Sequence, residues 1–246
     1  MEERDRRGAP APHTPHAPHI PTVSAEEAER IRRWHERAYA EARREGAEEQ
    51  RFAYLGRTIV VPPGVQPVVG MAHVLGEPVL AEVEEHDRVL DMGTGSGVNA
   101  VLAAGTAREV LAVDINPGAL AAARGNAELN GVADRVEVRH SDVFSAVDGA
   151  FDLIVFDPPF RWFRPRDMLE SATTDEDYRA LTAFFRSARA HLSPRGRMLV
   201  SFGTTGDLGF LQRLAREEGF ARETVAAQQM EREGTRVEYV TYRLTP

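Results

Sequence analysis

Four short stretches end in, or begin with, an acidic residue just where an apolar run breaks off. The first is DMGTGSG, residues 91 to 97, in which Asp91 is followed by Thr94 and by glycines at Gly93, Gly95 and Gly97. Such glycines permit a tight turn and let backbone approach a ligand, while a helix beginning there presents unpaired N–H groups. The second is VDIN, with Asp114 followed by Ile115 and Asn116. It lies about 20 residues downstream, the distance at which a carboxylate reaches the two hydroxyls of a ribose. A helix N-cap is the competing role for Asp114. In SDVF, Asp142 could accept the amino hydrogen of an adenine, with Val143 or Phe144 lining the ring. The fourth stretch is DPPF, from Asp157 through Pro158 and Pro159 to Phe160. A glycine loop with an acid at ribose distance points to an adenosine-containing ligand. Gly95, Gly97 and Ala100 also fit the dinucleotide pattern G-x-G-x-x-A, which keeps a nicotinamide enzyme in view. Against it, Asp91 would repel a pyrophosphate but suit the ammonium of an amino-acid ligand, and three acids around one pocket suit a cation.

Positioning these residues requires an α/β architecture. Apolar runs at 88–92, 109–113, 135–139, 151–156 and 196–202 alternate with expected helices near 97–105, 117–130, 175–191 and 207–218. Strands covered on both faces read as continuous apolar runs, so the alternation predicts a doubly wound, mostly parallel sheet, with ligands beyond the carboxyl ends of its strands. Runs at 221–229 and 235–244, joined by a turn containing Gly234, read as an antiparallel hairpin. Upstream, 51–65 reads as a short hairpin or extended segment, and 66–83 as helical with Pro78 near a helix start. Residues 24–49 open with Ser24 and Glu27 in a capping-box pattern and carry an apolar stripe of Ile31, Trp34, Ala38 and Ala42, an amphipathic helix. Residues 1–23 are rich in proline and histidine and too poor in apolar surface to offset ordering entropy, so a disordered tail is expected. His13, His16 and His19 recur there, but an extended segment does not fix metal-ligand geometry. The remaining span, 50–246, is expected to form one domain.

The four motifs in this order resemble a class I S-adenosylmethionine-dependent methyltransferase across roughly residues 50 to 246. Within that superfamily the chain is most similar to the small-domain branch that includes the release-factor glutamine methyltransferases, and GVQP at 64–67 resembles the segment preceding the first motif there. The resemblance implies a Rossmann-like seven-stranded sheet with an antiparallel C-terminal strand, preceded here by an N-terminal helical extension. It implies S-adenosyl-L-methionine as cofactor, held by Asp91, Gly93, Thr94, Gly95, Gly97, Asp114, Ile115, Asn116, Asp142, Val143 and Asp157. The catalytic residues would be Asp157, Pro158, Pro159 and Phe160. Methyl transfer from a sulfonium is an in-line displacement, so positioning the acceptor nitrogen is most of the catalysis. Two prolines stiffen the turn after Asp157. The Asp157 carboxylate and the Pro158 carbonyl would each accept an N–H, and Phe160 would offer its face to a planar or cationic acceptor.

Departures from that branch bear on the substrate. Release-factor enzymes carry NPPY, and asparagine both donates to and accepts from a carboxamide, whereas an ionised aspartate only accepts. The exchange favours an amine, aniline, guanidine or amino-purine nitrogen. The branch's larger N-terminal domain is replaced by one helix and a tail, and Gln66 stands where an aromatic is expected. A small molecule is therefore the expected acceptor, with a protein side chain or the adenine amino group of nucleic acid as alternatives, and a non-catalytic nucleoside-binding scaffold as an alternative of another class.

Composition narrows these choices. The chain of 246 residues has no cysteine, which excludes disulfides and thiolate chemistry, and its 30 basic residues are all arginine, which excludes a lysine Schiff base. A formal charge of −8 opposes broad affinity for phosphate backbones. FRWFRPRDM nevertheless places Arg161, Trp162, Arg164 and Arg166 beside the fourth motif, as a local basic patch, an arginine clamp for an anionic substrate, or a solvated loop. His73, His86, His140 and His191 lack ligand spacing, so no metal site is expected, and His35 and Trp34 would reach the substrate mouth only if the N-terminal helix caps it. A charged, proline-rich start and the absence of a long apolar stretch predict a cytoplasmic protein without membrane contact.

Overall fold

In the computed structural model, which describes residues 18–68, 70–232 and 234–246, the apolar runs of the sequence assemble into one seven-stranded sheet. In chain order the elements are α1 (Ala25–Glu45), a hairpin of β1 (Gln50–Tyr54) and β2 (Arg57–Val61), α2 (His73–Glu82), β3 (Arg88–Met92), α3 (Val98–Ala103), β4 (Glu109–Asp114), α4 (Pro117–Leu129), β5 (Val136–His140), β6 (Phe151–Phe156), α5 (Met168–Ser171), α6 (Arg179–Ala188), β7 (Leu192–Gly203), α7 (Leu208–Glu217), β8 (Ala221–Arg232) and β9 (Thr235–Thr245). Across the sheet the strands run β5-β4-β3-β6-β7-β9-β8. Pairings from β5 to β7 are parallel, and β9 lies antiparallel between β7 and β8. This is the doubly wound, mostly parallel architecture that the alternation predicted.

Successive side chains of the central strands feed two cores. Val89, Leu153, Val155 and Leu199 pack with Leu75, Val79, Val101 and Leu102 of α2 and α3. Leu90, Met92, Ile154 and Phe156 pack with Phe184 and Phe185 of α6 and Leu211 of α7. Both strand faces are buried, which is why β3 and β6 read as unbroken apolar runs.

Two local expectations differ from the structure. Pro78 lies inside α2, at its sixth residue, not near its start. A proline there removes the N–H that would bond the carbonyl four residues back. That carbonyl, of Val74, instead accepts a hydrogen bond of 2.6 Å from the buried Thr241 hydroxyl of β9, so the sheet supplies what the helix lacks. Residues 18–23, expected in the tail, run against the domain. The His19 ring, with 2% of its side chain exposed, sits among Trp162, Tyr178 and Phe210 and pairs with Asp207 at 3.1 Å, a bond Thr22 reinforces. His13, His16 and the rest of residues 1–17 lie outside the described residues.

Helix α1 is capped by Ser24, whose hydroxyl accepts the Glu27 N–H, and it buries Ile31, Trp34 and His35. It docks on the segment that follows β6. His35 Nε2 pairs with Glu170 Oε1 at 2.7 Å, Arg166 bonds both Glu170 and Glu36, and Tyr39 bonds Asp167.

Candidate active site

Strand register decides which of the four motifs meet. Met92 of β3 is level with Val113 of β4 and with Phe156 of β6, and Phe156 is level with Val200 of β7. The next residue on each strand is therefore Asp114, Gly93, Asp157 and Ser201, one rung at the carboxyl end of four adjacent strands. β3 and β6 flank the point where the chain's winding direction reverses, and the crevice there is where ligands bind in open α/β sheets.

The glycine loop departs from this rung. Gly93, Gly95 and Gly97 all have positive φ, 65°, 54° and 83°. At Gly97 a Cβ would stand 2.8 Å from the Cα of Ala123, so the absent side chain lets α3 begin against α4. At Gly95 a Cβ would meet nothing within 4 Å, which leaves open space on the ligand side of the turn. The buried amide of Asn126 holds the loop from behind, donating 2.8 Å to Ser96 O and 2.7 Å to Val60 O and accepting from Val60 N at 2.8 Å. Asn130, one turn later, bonds Thr58 N and O in the same manner. Two asparagines four residues apart thus bind the β2 backbone as a neighbouring strand would. Sequence reading missed this clamp; its only sign is a pair of asparagines on one face of a helix.

The acids are individually engaged and collectively crowded. Asp91 is buried, and its Oδ2 accepts from Thr94 Oγ1 at 2.5 Å and Ala100 N at 3.0 Å. Burial pushes its carboxyl up to about 7; the charges of Asp114 and Asp157 push the same way, against the pull of those two bonds. Asp114 accepts from Gly95 N at 2.9 Å and Asn116 N at 2.8 Å. Capping of α4 falls to Asn116, whose side chain accepts from Gly118 N, so the competing N-cap role for Asp114 belongs to its neighbour. Ile115 beside it keeps 41% of its surface exposed.

Asp157 keeps an exposed surface although protein surrounds it closely, as on the wall of a concavity. That surrounding raises its carboxyl to about 6, while a hydrogen bond with Ser201 and the charge of Arg161 pull it down. A buried Asp91 on which the charges of Asp114 and Asp157 both act, beside an open glycine turn and an exposed Ile115, fits a nucleoside carrying positive charge.

Other sequence-predicted residues are placed as follows. Asp142 is exposed, and its N–H donates to Ser145 Oγ at 3.0 Å. Val143 holds a φ of 47°, strained for a β-branched residue. Phe144 is not free to line a ligand, because its ring stacks on His191 at 4.3 Å and on Phe184. Pro158 is buried and Pro159 half-buried. The Phe160 ring leans on Phe202 at 4.9 Å and Tyr239 at 5.9 Å, and its carbonyl accepts from the Tyr178 hydroxyl at 2.5 Å. The same hydroxyl, Tyr178 Oη, accepts the Asp207 N–H, so one buried phenol ties the DPPF turn to the start of α7. Asp177 and Tyr178 both lie in the left-handed region, at φ 56° and 52°. Tyr178 and Ser201 carry no motif in sequence.

The arginines after DPPF, readable in sequence as a basic patch, an anion clamp or a solvated loop, take different places on folding. Arg161 is buried, Arg166 is held by Glu170 and Glu36, and Trp162 packs on His19, Phe163 and Tyr178. Arg164 remains exposed. Among the described residues no cluster of three or more metal-ligating side chains forms, and no helix is long and apolar enough to cross a membrane.

Comparison with known proteins is consistent with this geometry. The family model for the methyltransferase small domain matches residues 74–229. The chain is 40% identical over 139 residues to a release factor glutamine methyltransferase of Cereibacter sphaeroides, covering 50% of this chain and 49% of that one. It is 33% identical over 161 residues to ribosomal RNA small subunit methyltransferase C of Chromohalobacter salexigens, covering 61% and 43%. Its fold superposes on a ribosomal protein L11 methylase from Lactobacillus delbrueckii subsp. bulgaricus with a TM-score of 0.54 at 23% identity, over 74% of this chain and 82% of that one. The chain spans about half the length of the curated relatives it matches.

Proposed function

Because the chain belongs to the methyltransferase small-domain family, within the class I S-adenosylmethionine-dependent methyltransferases, we propose that it transfers a methyl group to a nitrogen of a small molecule, an amine, guanidine or similar group, in a cytoplasmic setting. The observation that carries this reading is the rung on which Asp114, Gly93 and Asp157 stand side by side, with Asp91 two residues below on β3.

S-adenosyl-L-methionine, when bound, supplies a methyl group on a positively charged sulfur. Asp114 would take the ribose hydroxyls with lone pairs left over from Gly95 and Asn116, and Ile115, Asp142 and Val143 would border the base. Asp91 would face the ammonium, and Gly93 and Thr94 would line the turn against the amino-acid portion. Asp157, oriented by Ser201, would accept an N–H from the acceptor. That leaves the nitrogen lone pair to attack the methyl carbon as the carbon–sulfur bond breaks, its electron pair passing to sulfur. The excess proton leaves the new ammonium to the Asp157 carboxylate or to water. A rigid diproline turn, fixed from behind by Tyr178, keeps the carboxylate in that line.

Support for a small acceptor comes from the loop after DPPF, on which α1 docks, in which Trp162 packs on His19, Phe163 and Tyr178, and whose exposed Arg166 is already paired with Glu170 and Glu36, leaving less basic and aromatic surface than a flipped base requires. A second reading, methylation of a protein side chain or of the adenine amino group in nucleic acid, is favoured by the relatives, whose names give release factor glutamine, ribosomal RNA and ribosomal protein L11 as targets. One assay separates these readings: conversion of S-adenosylmethionine to S-adenosylhomocysteine by the full chain, offered small amines, release-factor and L11 proteins, and ribosomal RNA in parallel. Turnover with small amines alone supports the proposal; turnover with protein or RNA alone replaces it. Binding of the nucleoside without turnover on any panel returns the chain to a scaffold role.

A further inference from the structure

Arg161 is the residue after the DPPF motif and retains 6% of its surface. Burying a guanidinium is costly unless its donors are paired, and it carries five. Among the described residues its guanidinium makes one hydrogen bond, a long one of 3.3 Å from Nη2 to the hydroxyl of the buried Thr205, and its Nε is buried with no partner. Its charge acts on Asp157, yet no ion pair within 4 Å joins the two. Tyr178 and Tyr239, also near it, are phenols that burial keeps protonated, and they neutralise nothing. The chain therefore maintains an under-paired buried cation near enough to act on the charge of Asp157, a carboxylate that keeps an exposed surface.

A separated cation and anion, each with unused bonding capacity, match a ligand with the opposite charges at the same spacing. We propose that the methyl acceptor is zwitterionic, its nitrogen presented to Asp157 and an oxyanion, carboxylate or phosphate, received by Arg161. The inference rests on the methyl-transfer reading above and adds the chemical class of the substrate. The fork of a guanidinium suits both oxyanions, and the bond to Thr205 fixes one of its edges. Phe160, whose ring centroid lies 5.9 Å from the guanidinium carbon, would then border the part of the acceptor that connects its two charges. A binding oxyanion would also remove the cost of the unpaired guanidinium, so part of the affinity comes from a penalty the free protein already carries.

The test uses the full chain with S-adenosylmethionine and matched acceptors: β-alanine, 2-aminoethylphosphonate and propylamine, with 4-aminobenzoate against aniline. Expected is a kcat/KM at least about 30-fold higher for the anionic member of at least one pair, the worth of a charge-assisted hydrogen bond. β-Alanine against 2-aminoethylphosphonate distinguishes carboxylate from phosphate. In Arg161→Met the preference should collapse to about one through KM, Arg161→Lys should restore part of it, and the affinity for S-adenosylhomocysteine should stay as in the unaltered chain. Equal rates for anionic and neutral members, measured on the unaltered chain and so independent of whether any variant folds, overturn the zwitterion. A preference that survives Arg161→Met, or one lost together with all other turnover, overturns the role of Arg161. Nucleoside binding with no turnover on any member overturns the acceptor reading as a whole, which is a different outcome.

Discussion

At the residue scale the site is a problem in holding like charges together. Burial pushes Asp91 up to about 7, with the charges of Asp114 and Asp157 adding to it, and burial raises Asp157 to about 6. Asp157→Ala should lower turnover about 100-fold and weaken S-adenosylhomocysteine binding far less, since its main loss would be acceptor alignment; single-turnover rates beside titration calorimetry check both halves. Only the ionised carboxylate accepts an N–H, so kcat should fall as pH drops through about 6, and an Asp157→Asn variant should lack that limb. For Asp91 the sign runs the other way. Its folded carboxyl lies above the unfolded value, so without ligand the native state keeps a proton that the unfolded chain has released, and stability falls as pH rises from about 4 to about 7. A bound ammonium favours the ionised form. S-adenosylhomocysteine should therefore bind about tenfold more tightly at pH 8 than at pH 6, from the one proton that binding must otherwise displace. Calorimetry across that range in buffers of different ionisation enthalpy would show both the affinity change and the proton release.

Among the elements, the glycine turn shows the balance between freedom and restraint. Gly97 has φ of 83° and touches Ala123, so Gly97→Ala combines backbone strain with a backbone clash and should cost about 2 kcal/mol or more of stability, read by denaturant unfolding. The clamp behind the turn should be as consequential. Asn126→Ala leaves Val60 N and O and Ser96 O short of a partner in a buried place, at a cost of about 3 kcal/mol. Because Ser96 belongs to the turn, the same variant should also weaken S-adenosylhomocysteine binding, whereas a purely structural clamp would change only the melting temperature. The turn itself was legible in sequence, since glycines before a helix announce their φ. The clamp was not: an asparagine in α4 reads as an exposed polar residue until β2 is known to pass beside it. Pro78 is similar, because a proline mid-helix is improbable until Thr241 from the far end of the chain is seen to complete the Val74 carbonyl.

For the whole molecule the question is how α1 sits over the segment following the acceptor motif. Its attachment runs through His35, buried with 2% exposure, and Glu170, whose carboxyl the Arg166 and His35 bonds hold at about 2 despite burial. Burial lowers the His35 pKa below the ordinary 6.5, so the native state binds fewer protons than the unfolded chain as pH drops past that value, and the docking contribution is lost below it. Glu170 contributes above about 4.5 and fades only toward 2, which leaves histidine as the titrating member of this pair between pH 6.5 and 4.5. Hydrogen exchange of the α1 amides should accelerate from pH 7.5 to 5.5 beyond the intrinsic pH effect, and His35→Phe should abolish that excess. If α1 amides stay equally protected, the His35–Glu170 contact is not what fastens the helix.

The sequence by itself determined the order of strands and helices, the sheet type and the four strand-end corners, because burial on both faces, glycine at positive φ and proline stiffness are properties of short windows. Which side chains meet at those corners depended on register between strands far apart in the chain. Only the fold could set Asp157 level with Ser201 and Asp114, bury Arg161, tie the exposed Arg166 to Glu170 and Glu36, and turn Phe144 onto His191. Those outcomes follow from pairing, burial and charge neutralisation across the molecule, forces that act between segments and leave no mark in any one of them.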